Sequence, residues 1–196
     1  MRKMEPRSLL NTPFCILFNM KYIALLRGIN VGGNNKVAMP ELRSCFENSG
    51  FKNVVTYINS GNVIFESSIK NPVELVNICE DAIEKRFGFH VICSVISAEE
   101  LIEALNRAPE WWNHGEGKHN AIFVIAPKKA EEIVAEVGDV KPEYEKVQAC
   151  HPIIFWSAPL ETFSRTRYNK IVGTTLYRSI TIRNANTTNK LAELCK

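Results

Sequence analysis

Three short polar segments hold the residue types that could bind an anion. The first spans residues 27–36 and carries a cation at each end. Its charged and glycine residues are Arg27, Lys36, Gly28, Gly32 and Gly33. Glycines let successive backbone N–H groups turn toward one point, and a following helix would add its positive end. The segment lacks both the G-x-x-x-x-G-K-[ST] and the G-x-G-x-x-G spacing of phosphate loops. Taken alone it is more typical of a long exposed turn, because Gly and Asn are common turn residues.

The second segment, residues 57–62, ends one predicted strand and begins the next. A hairpin turn accounts for Ser60, Gly61 and Asn62 completely. Tyr57 is either a core residue or a platform on which a ligand stacks.

The third segment, residues 181–190, leads from the last predicted strand into a terminal helix. Asn186 or Thr187 is the expected helix cap. Arg183 and Lys190 flank the same helix N-terminus, where a positive charge is unfavourable unless an anion lies nearby. This charge pattern favours a binding role slightly.

The elements that position these segments alternate in a repeated order. The first half is predicted to contain strands at 22–26, 54–58, 62–65 and 90–96, with helices beginning near Pro40 and after Asn71-Pro72. A linking helix follows, capped by Ser97 with Glu100. The second half is predicted to contain strands at 120–126, 144–150, 153–157 and 179–183, helices at 127–137 and around 162–174, and a terminal helix at 187–195.

This order predicts an α+β chain of two ferredoxin-like βαββαβ subdomains in tandem, with a linking helix and a C-terminal helix. The first subdomain is placed at residues 20–97 and the second, with both extra helices, at 98–196. Residues 1–19 are interpreted as an N-terminal extension that is free to be disordered.

Composition limits the classes of function. Lys+Arg 24 against Asp+Glu 21 gives a net charge of +3, too small a basic excess to indicate nucleic-acid binding by overall charge. Any anion site must therefore be local. The four histidines show no H-x-x-x-H pair, so no metal site is predicted. Six scattered cysteines without a C-x-x-C pair, and an apolar run of only residues 14–18 near the start, predict a cytoplasmic protein with free thiols and no membrane span.

The polar segments also carry a resemblance. Residues 26–33, 57–63 and 181–184, with Thr187 and Lys190-Leu191, resemble the motifs of the bacterial family catalogued as "domain of unknown function 1697". The resemblance extends from residue 20 to about residue 196. It implies an α/β fold with two similar subdomains and cytosolic occurrence, and it implies no assigned activity, cofactor or catalytic residue.

Our leading hypothesis is a site for a phosphate-bearing ligand, a nucleotide or nucleic acid, where the three segments meet. The phosphate contacts would come from Arg27, Lys36, Arg183 and Lys170, the backbone donors from Gly28, Gly32 and Gly33, and the remaining contacts from Asn30, Tyr57, Ser60, Asn62 and Asn184. One alternative is an enzyme acting on a phosphorylated metabolite, with Tyr57 or Lys170 as acid or base. Another is a non-catalytic interaction module using strand edges or Trp111-Trp112.

The topology tests the leading hypothesis directly. In a ferredoxin-like unit the first and third strands are neighbours, so the Arg27 loop and Asn62 should be close. Nothing within one half brings Arg183 to them. The single site therefore requires the two halves to pack so that these strand ends meet.

Overall fold

The computed structural model describes residues 19–196, which form two four-stranded antiparallel sheets with helices. The elements of the first half are β1 (Met20–Leu26), α1 (Met39–Asn48), β2 (Lys52–Tyr57), β3 (Asn62–Ser67), α2 (Pro72–Phe87) and β4 (Cys93–Ser97). Those that follow are α3 (Ala98–Asn106), β5 (Lys118–Val124), α4 (Ala130–Val137), β6 (Lys146–Cys150), β7 (Ile153–Ala158), α5 (Arg167–Lys170), β8 (Ile180–Asn184) and α6 (Ala185–Cys195). The first sheet has the order β2-β3-β1-β4 and the second has the order β6-β7-β5-β8. The predicted tandem βαββαβ fold with a C-terminal helix is confirmed.

The central strands are buried on both faces, which explains their continuous apolar runs. In β1, Tyr22 and Ala24 face an outer core shared with α1 and α2, whereas Ile23 and Leu25 face inward. This alternation follows from the two-residue period of a strand. The first sheet is thus covered on one side by its own helices and on the other by the second half.

A central core joins the two halves. Ile23 and Ile64 from the first sheet share it with Phe123 and Phe155 from the second, and α3 and α6 contribute Leu101, Ala104, Leu191 and Ala192. Trp112 lies in this core, where its Nε1 donates to the Asn120 carbonyl at 2.8 Å. It is therefore a core residue and not part of an exposed interaction surface. Because the core is shared, the division of the chain at residue 97 stays a prediction.

Capping explains where several helices begin. Asn71 accepts from the Val73 N–H at the start of α2. Ser97 and Glu100 form the predicted capping box of α3, with each side chain accepting from the backbone N–H of the other residue.

Three predicted helix limits are wrong. First, α4 begins at Ala130 rather than Pro127, because the Glu132 carboxylate accepts from the Lys129 N–H and fixes the helix start there. Second, α6 begins at Ala185 because Asn184 caps it through the Thr187 N–H.

Third, residues 162–174 do not form one helix. They are divided into a 3-10 turn at Phe163–Arg165, the short α5 and a second 3-10 turn at Ile171–Gly173. Thr166 starts a new turn by accepting from the Asn169 N–H, and the buried Glu145 carboxylate accepts from the Arg167 N–H at 2.6 Å. These side-chain acceptors interrupt the regular helical ladder.

Two further findings concern the sequence predictions. None of the helices in the described part of the chain is long and apolar enough to cross a membrane. Residues 1–18 of the predicted extension, including Cys15, lie outside the described residues. The five other cysteines, Cys45, Cys79, Cys93, Cys150 and Cys195, are free thiols as predicted.

Candidate functional site

The three polar segments meet at the junction between the two halves. Arg183, near the end of β8, reaches across to the first half. Its Nε donates to the Asn62 Oδ1 at 2.6 Å, and its Nη2 donates to the Leu26 carbonyl at 2.7 Å. The halves therefore pack as the single-site hypothesis requires.

The Arg183 guanidinium is fully used within the protein. Its Nη1 donates to the Thr181 hydroxyl at 3.2 Å and the Ile182 carbonyl at 3.0 Å, and its Nη2 also lies 3.2 Å from each of the Ser60 and Gly61 carbonyl oxygens. Only 9% of the residue is exposed. Burial lowers its pKa to about 10, so it remains charged at neutral pH. Because all its acceptors are neutral oxygens, Arg183 is a buried cation without a carboxylate partner.

Arg27 follows Leu26, whose carbonyl accepts from Arg183, and its side chain is only half-buried. Its Nη1 donates to the Tyr177 carbonyl and to the Ile180 carbonyl at 3.2 Å, and its guanidinium carbon lies 4.4 Å from the centre of the Tyr177 ring. Burial lowers the pKa of the guanidinium. Within residues 19–196, no carboxylate forms an ion pair with Arg27 or Arg183. Two positive charges therefore lie at one junction without an ion-paired carboxylate, although the more distant Glu80 attracts Arg27.

The loop after Arg27 is closed by the side chain of Asn30. Its amide donates to the Val37 carbonyl at 2.9 Å and to the Asn59 carbonyl at 3.0 Å, and its Oδ1 accepts from the Val37 N–H at 2.8 Å. Asn30 also has a φ of 54°, a left-handed conformation that Asn tolerates better than most residues. Its side chain thus holds the loop in shape and ties it to the neighbouring turn.

The exposed part of this loop keeps its donors free. Gly28, Gly32 and Gly33 have φ values of 72°, 58° and 81° and lie on the surface, as does Lys36. No acceptor within the described residues receives a hydrogen bond from the three glycine N–H groups. These donors, with Lys36, are available to a ligand.

The second segment is a tightly packed turn. Asn62 is completely buried, and its amide donates to the Tyr57 carbonyl at 3.0 Å and to the Ser60 hydroxyl at 3.1 Å. Gly61 lies so close to β1 that a Cβ atom there would meet the Leu26 Cβ at 2.7 Å. Tyr57 packs against the central core. This segment positions the junction, and its amide and hydroxyl are already hydrogen-bonded within the chain.

Asn184 caps α6, with its Oδ1 accepting from the Thr187 N–H at 2.7 Å. The predicted caps, Asn186 and Thr187, are wrong because α6 begins two residues earlier. Lys190 forms an ion pair with Glu193 at 2.8 Å, so its charge at this helix is compensated. Asn184 also lines a cavity of about 350 Å³ together with His119 and Asn186.

Lys170 lies in a different region from the other predicted site residues. It lines one groove with Tyr144 and Arg165 and a second with Leu176. Neither of these two grooves is lined by another of the predicted site residues.

Sequence reasoning missed two features. Tyr177, whose carbonyl and ring contact the Arg27 guanidinium, lies in a 3-10 turn at Thr175–Ser179 with no motif around it. The second feature is the contact between the His119 Nδ1 and the Ser157 Oγ, which lie 2.7 Å apart although 38 positions separate the two residues in the chain. Only the register of β5 against β7, where these two residues are partners, brings them together.

The sheet order, together with the hydrogen bonds from Arg183 to the first half, defines an α+β protein of two tandem βαββαβ units. The chain belongs to the family described as "Protein of unknown function (DUF1697)", whose model matches residues 20–155. It is also similar to a solved structure of a conserved bacterial protein from Streptococcus pneumoniae, with 34% identity and a TM-score of 0.80 over 91% of this chain and 100% of that one. No curated protein matches the chain.

Proposed function

We propose that the chain binds a phosphate-bearing ligand, a nucleotide in the first instance, at the surface of the loop 28–36 beside Arg27. The observation that carries this proposal is the pair of guanidinium groups at one junction without an acidic partner. A buried or half-buried cation is unfavourable when its charge is uncompensated, and a bound anion would relieve that cost.

The roles within the proposed site differ from residue to residue. Arg183 uses all its N–H groups inside the protein, so it acts through its charge. Arg27 and Lys36 reach the surface, and the N–H groups of Gly28, Gly32 and Gly33 add donors that need no side chain. Backbone donors combined with cations are a recurring way to hold phosphate. Asn30, Asn62 and Ser60 support the proposal indirectly, because they fix the loop and the turn.

The small scale of the cationic surface favours a compact ligand over a long polymer. The chain carries a net charge of only +3, and nucleic-acid surfaces usually depend on many phosphate contacts. Single-stranded oligonucleotides are therefore a comparison ligand in the test.

The test is calorimetric titration and thermal shift with inorganic pyrophosphate, ADP and a short oligonucleotide. Binding to the folded chain raises the melting temperature, and the stabilisation grows with the logarithm of the ligand excess. We expect the shift with pyrophosphate or ADP to be lost in the double variant Arg27→Gln, Lys36→Gln.

Arg107→Gln is the matched control, because Arg107 is an exposed arginine whose side chain contacts the Glu103 and His151 carbonyls and not the Arg27 loop. Lys36→Gln alone removes an exposed side chain and leaves the fold intact, so it separates loss of binding from loss of structure. An unchanged shift in the double variant, or no shift with any of the three ligands, contradicts the proposal.

We also propose a cytoplasmic location. Five free thiols support it, because thiols persist in reducing compartments. Fractionation of the cells that make the protein tests the location, and recovery outside the cytoplasm contradicts it.

A further inference from the structure

A second polar site lies in the second half, at the edge of the inner face of its sheet. It is a cavity of about 190 Å³, bounded by the ends of β5, β6 and β7 and by the segment after α3. The side chains used below are His119, Ser157, Lys146 and Trp111, all of which line it. None of them belongs to the anion site proposed above.

The hydrogen bonds of His119 fix the position of its proton. Its Nε2 lies 3.3 Å from the Gly115 carbonyl oxygen, and its Nδ1 lies 2.7 Å from the Ser157 Oγ. A carbonyl oxygen can only accept, so Nε2 carries the hydrogen in the neutral imidazole. The Nδ1 lone pair then accepts the hydroxyl hydrogen of Ser157.

This arrangement has the three parts of an activated nucleophile. Ser157 is the hydroxyl, His119 is the base within hydrogen-bond reach, and the Gly115 carbonyl orients the base. The strand register holds the first two rigidly, because His119 and Ser157 are partners across β5 and β7. A rigid sheet positions reacting groups better than a loop does.

Lys146 adds a positive charge to the cavity lining, which also includes the carboxylates of Glu116 and Glu145. Lys146 is the partner of Ser157 in the register of β6 against β7, and it lines the same cavity. An ammonium group beside the nucleophile can stabilise the negative charge that develops on an attacked carbonyl oxygen. Trp111 and two prolines, Pro142 and Pro159, add apolar wall. The cavity is small, so it suits a short acyl group.

We propose that Ser157 and His119 form a nucleophile and base pair that hydrolyses small carboxylic esters. The Ser157 Oγ bonds to the ester carbonyl carbon while its proton moves to His119 Nδ1. The tetrahedral intermediate, held by Lys146, then loses the alkoxide, which takes that proton and leaves as the alcohol. Water attacks the acyl-serine, gives a proton to His119, and releases the carboxylic acid as the proton returns to Ser157. The step needs no cofactor or oxidant.

The experiment uses the full chain, with diisopropyl fluorophosphate as a probe of the serine and p-nitrophenyl acetate as a substrate. The expected results are one phosphoryl adduct on Ser157 by peptide mass spectrometry, and ester hydrolysis that is lost in Ser157→Ala. His119→Ala should slow both reactions by about a hundredfold or more, the usual contribution of a general base.

Ser67→Ala is the matched control. Ser67 is a strand serine with the same 7% exposure as Ser157, and its hydroxyl accepts only from the Ile69 N–H. Ser67→Ala should keep the full rates. Circular dichroism and the melting temperature confirm that each variant is folded.

Two outcomes overturn the proposal. One is folded wild-type protein that takes no adduct and hydrolyses no ester. The other is a reaction that persists unchanged in folded Ser157→Ala or His119→Ala. Failure of phosphate ligands to bind does not bear on this test, because the two sites share no residue.

Discussion

The two halves of the chain have the same strand order, yet their sheets are covered differently. In the first half, α1 and the 16-residue α2 close over an outer core in which the rings of Phe46, Phe51 and Phe65 contact one another. In the second half, the outer face is covered by the eight-residue α4 and by short turns between residues 163 and 179.

The outer core of the second half contains buried polar groups that lack hydrogen-bond partners. Within the described residues, the Trp156 Nε1 and the Tyr168 hydroxyl are buried without a hydrogen-bond partner. Glu145 is buried as well, and its carboxylate accepts only from the Arg167 and Tyr168 backbone N–H groups. The same topology therefore yields one half whose buried polar side chains are hydrogen-bonded and another in which two buried polar groups have no partner within the described residues. Sites of chemistry are more often found in the second kind of environment.

The largest effect is expected at the joint between the halves. Arg183→Ala leaves the Asn62 Oδ1 and the Leu26 carbonyl without their donor in a buried position. Each unsatisfied buried acceptor costs about 1–3 kcal/mol, so the free energy of unfolding should fall by about 3 kcal/mol or more. Urea unfolding measures the change.

Two variants sharpen this first prediction. Arg183→Lys keeps the charge but loses the planar fork, and it should also destabilise the chain. Arg178→Ala, at an exposed position, should change the free energy of unfolding by no more than about 0.5 kcal/mol. A stable Arg183→Ala protein would show that the shared apolar core alone holds the halves together.

The fold could be predicted from sequence because its signals are local. Apolar runs of strand length, Gly88 after α2 and the Ser97 capping box each mark an element by short-range chemistry. Residues 162–174 were mispredicted because Glu145, about twenty positions away, supplies the acceptor that starts α5. A contact of that range leaves no local pattern.

The second prediction compares two glycines of the first half that share a left-handed φ. Gly61 has a φ of 78° and a Cβ there would meet the Leu26 Cβ at 2.7 Å, whereas Gly32 has a φ of 58° and open space around it. Gly32→Ala should cost about 1 kcal/mol for backbone strain alone. Gly61→Ala should cost about 3 kcal/mol, because overpacking against β1 is added.

Thermal and urea unfolding of the two glycine variants check this difference. Equal losses would mean that the turn at Gly61 can move away from β1. The first half would then be less rigid than its packing indicates.

The candidate site could be predicted only in part, for the same physical reason. No sequence pattern indicates that the side-chain amides of Asn30, Asn62 and Asn184 bond to backbone groups, since the same residue types serve turns, caps and ligands. The convergence of Arg183 with the end of β1 depends on how the halves pack. The His119 and Ser157 pair depends on strand register, which no spacing in the sequence reveals.

The smallest effect at neutral pH is expected at Tyr168, in the second half. The phenol is fully buried, and its hydroxyl has no hydrogen-bond partner in residues 19–196. Tyr168→Phe removes a desolvated polar group without leaving a cavity, so the free energy of unfolding at pH 7 should stay the same or rise by up to about 1 kcal/mol.

Alkaline pH separates Tyr168→Phe from the wild-type chain. Burial, with a smaller contribution from Glu145, raises the pKa of Tyr168 above its usual 10.0. The unfolded chain therefore loses this proton at a lower pH than the folded chain. The folded state then binds more protons, and wild-type stability falls as the pH rises through 10, by at most about 1.4 kcal/mol per pH unit from this group. The advantage of Tyr168→Phe should grow from pH 9 to pH 11 in urea titrations, whereas Tyr144→Phe, at a half-buried position, should run parallel to wild type. If Tyr168→Phe destabilises the chain by more than about 1 kcal/mol at pH 7, the hydroxyl is satisfied after all, and the contrast between the halves loses one of its supports.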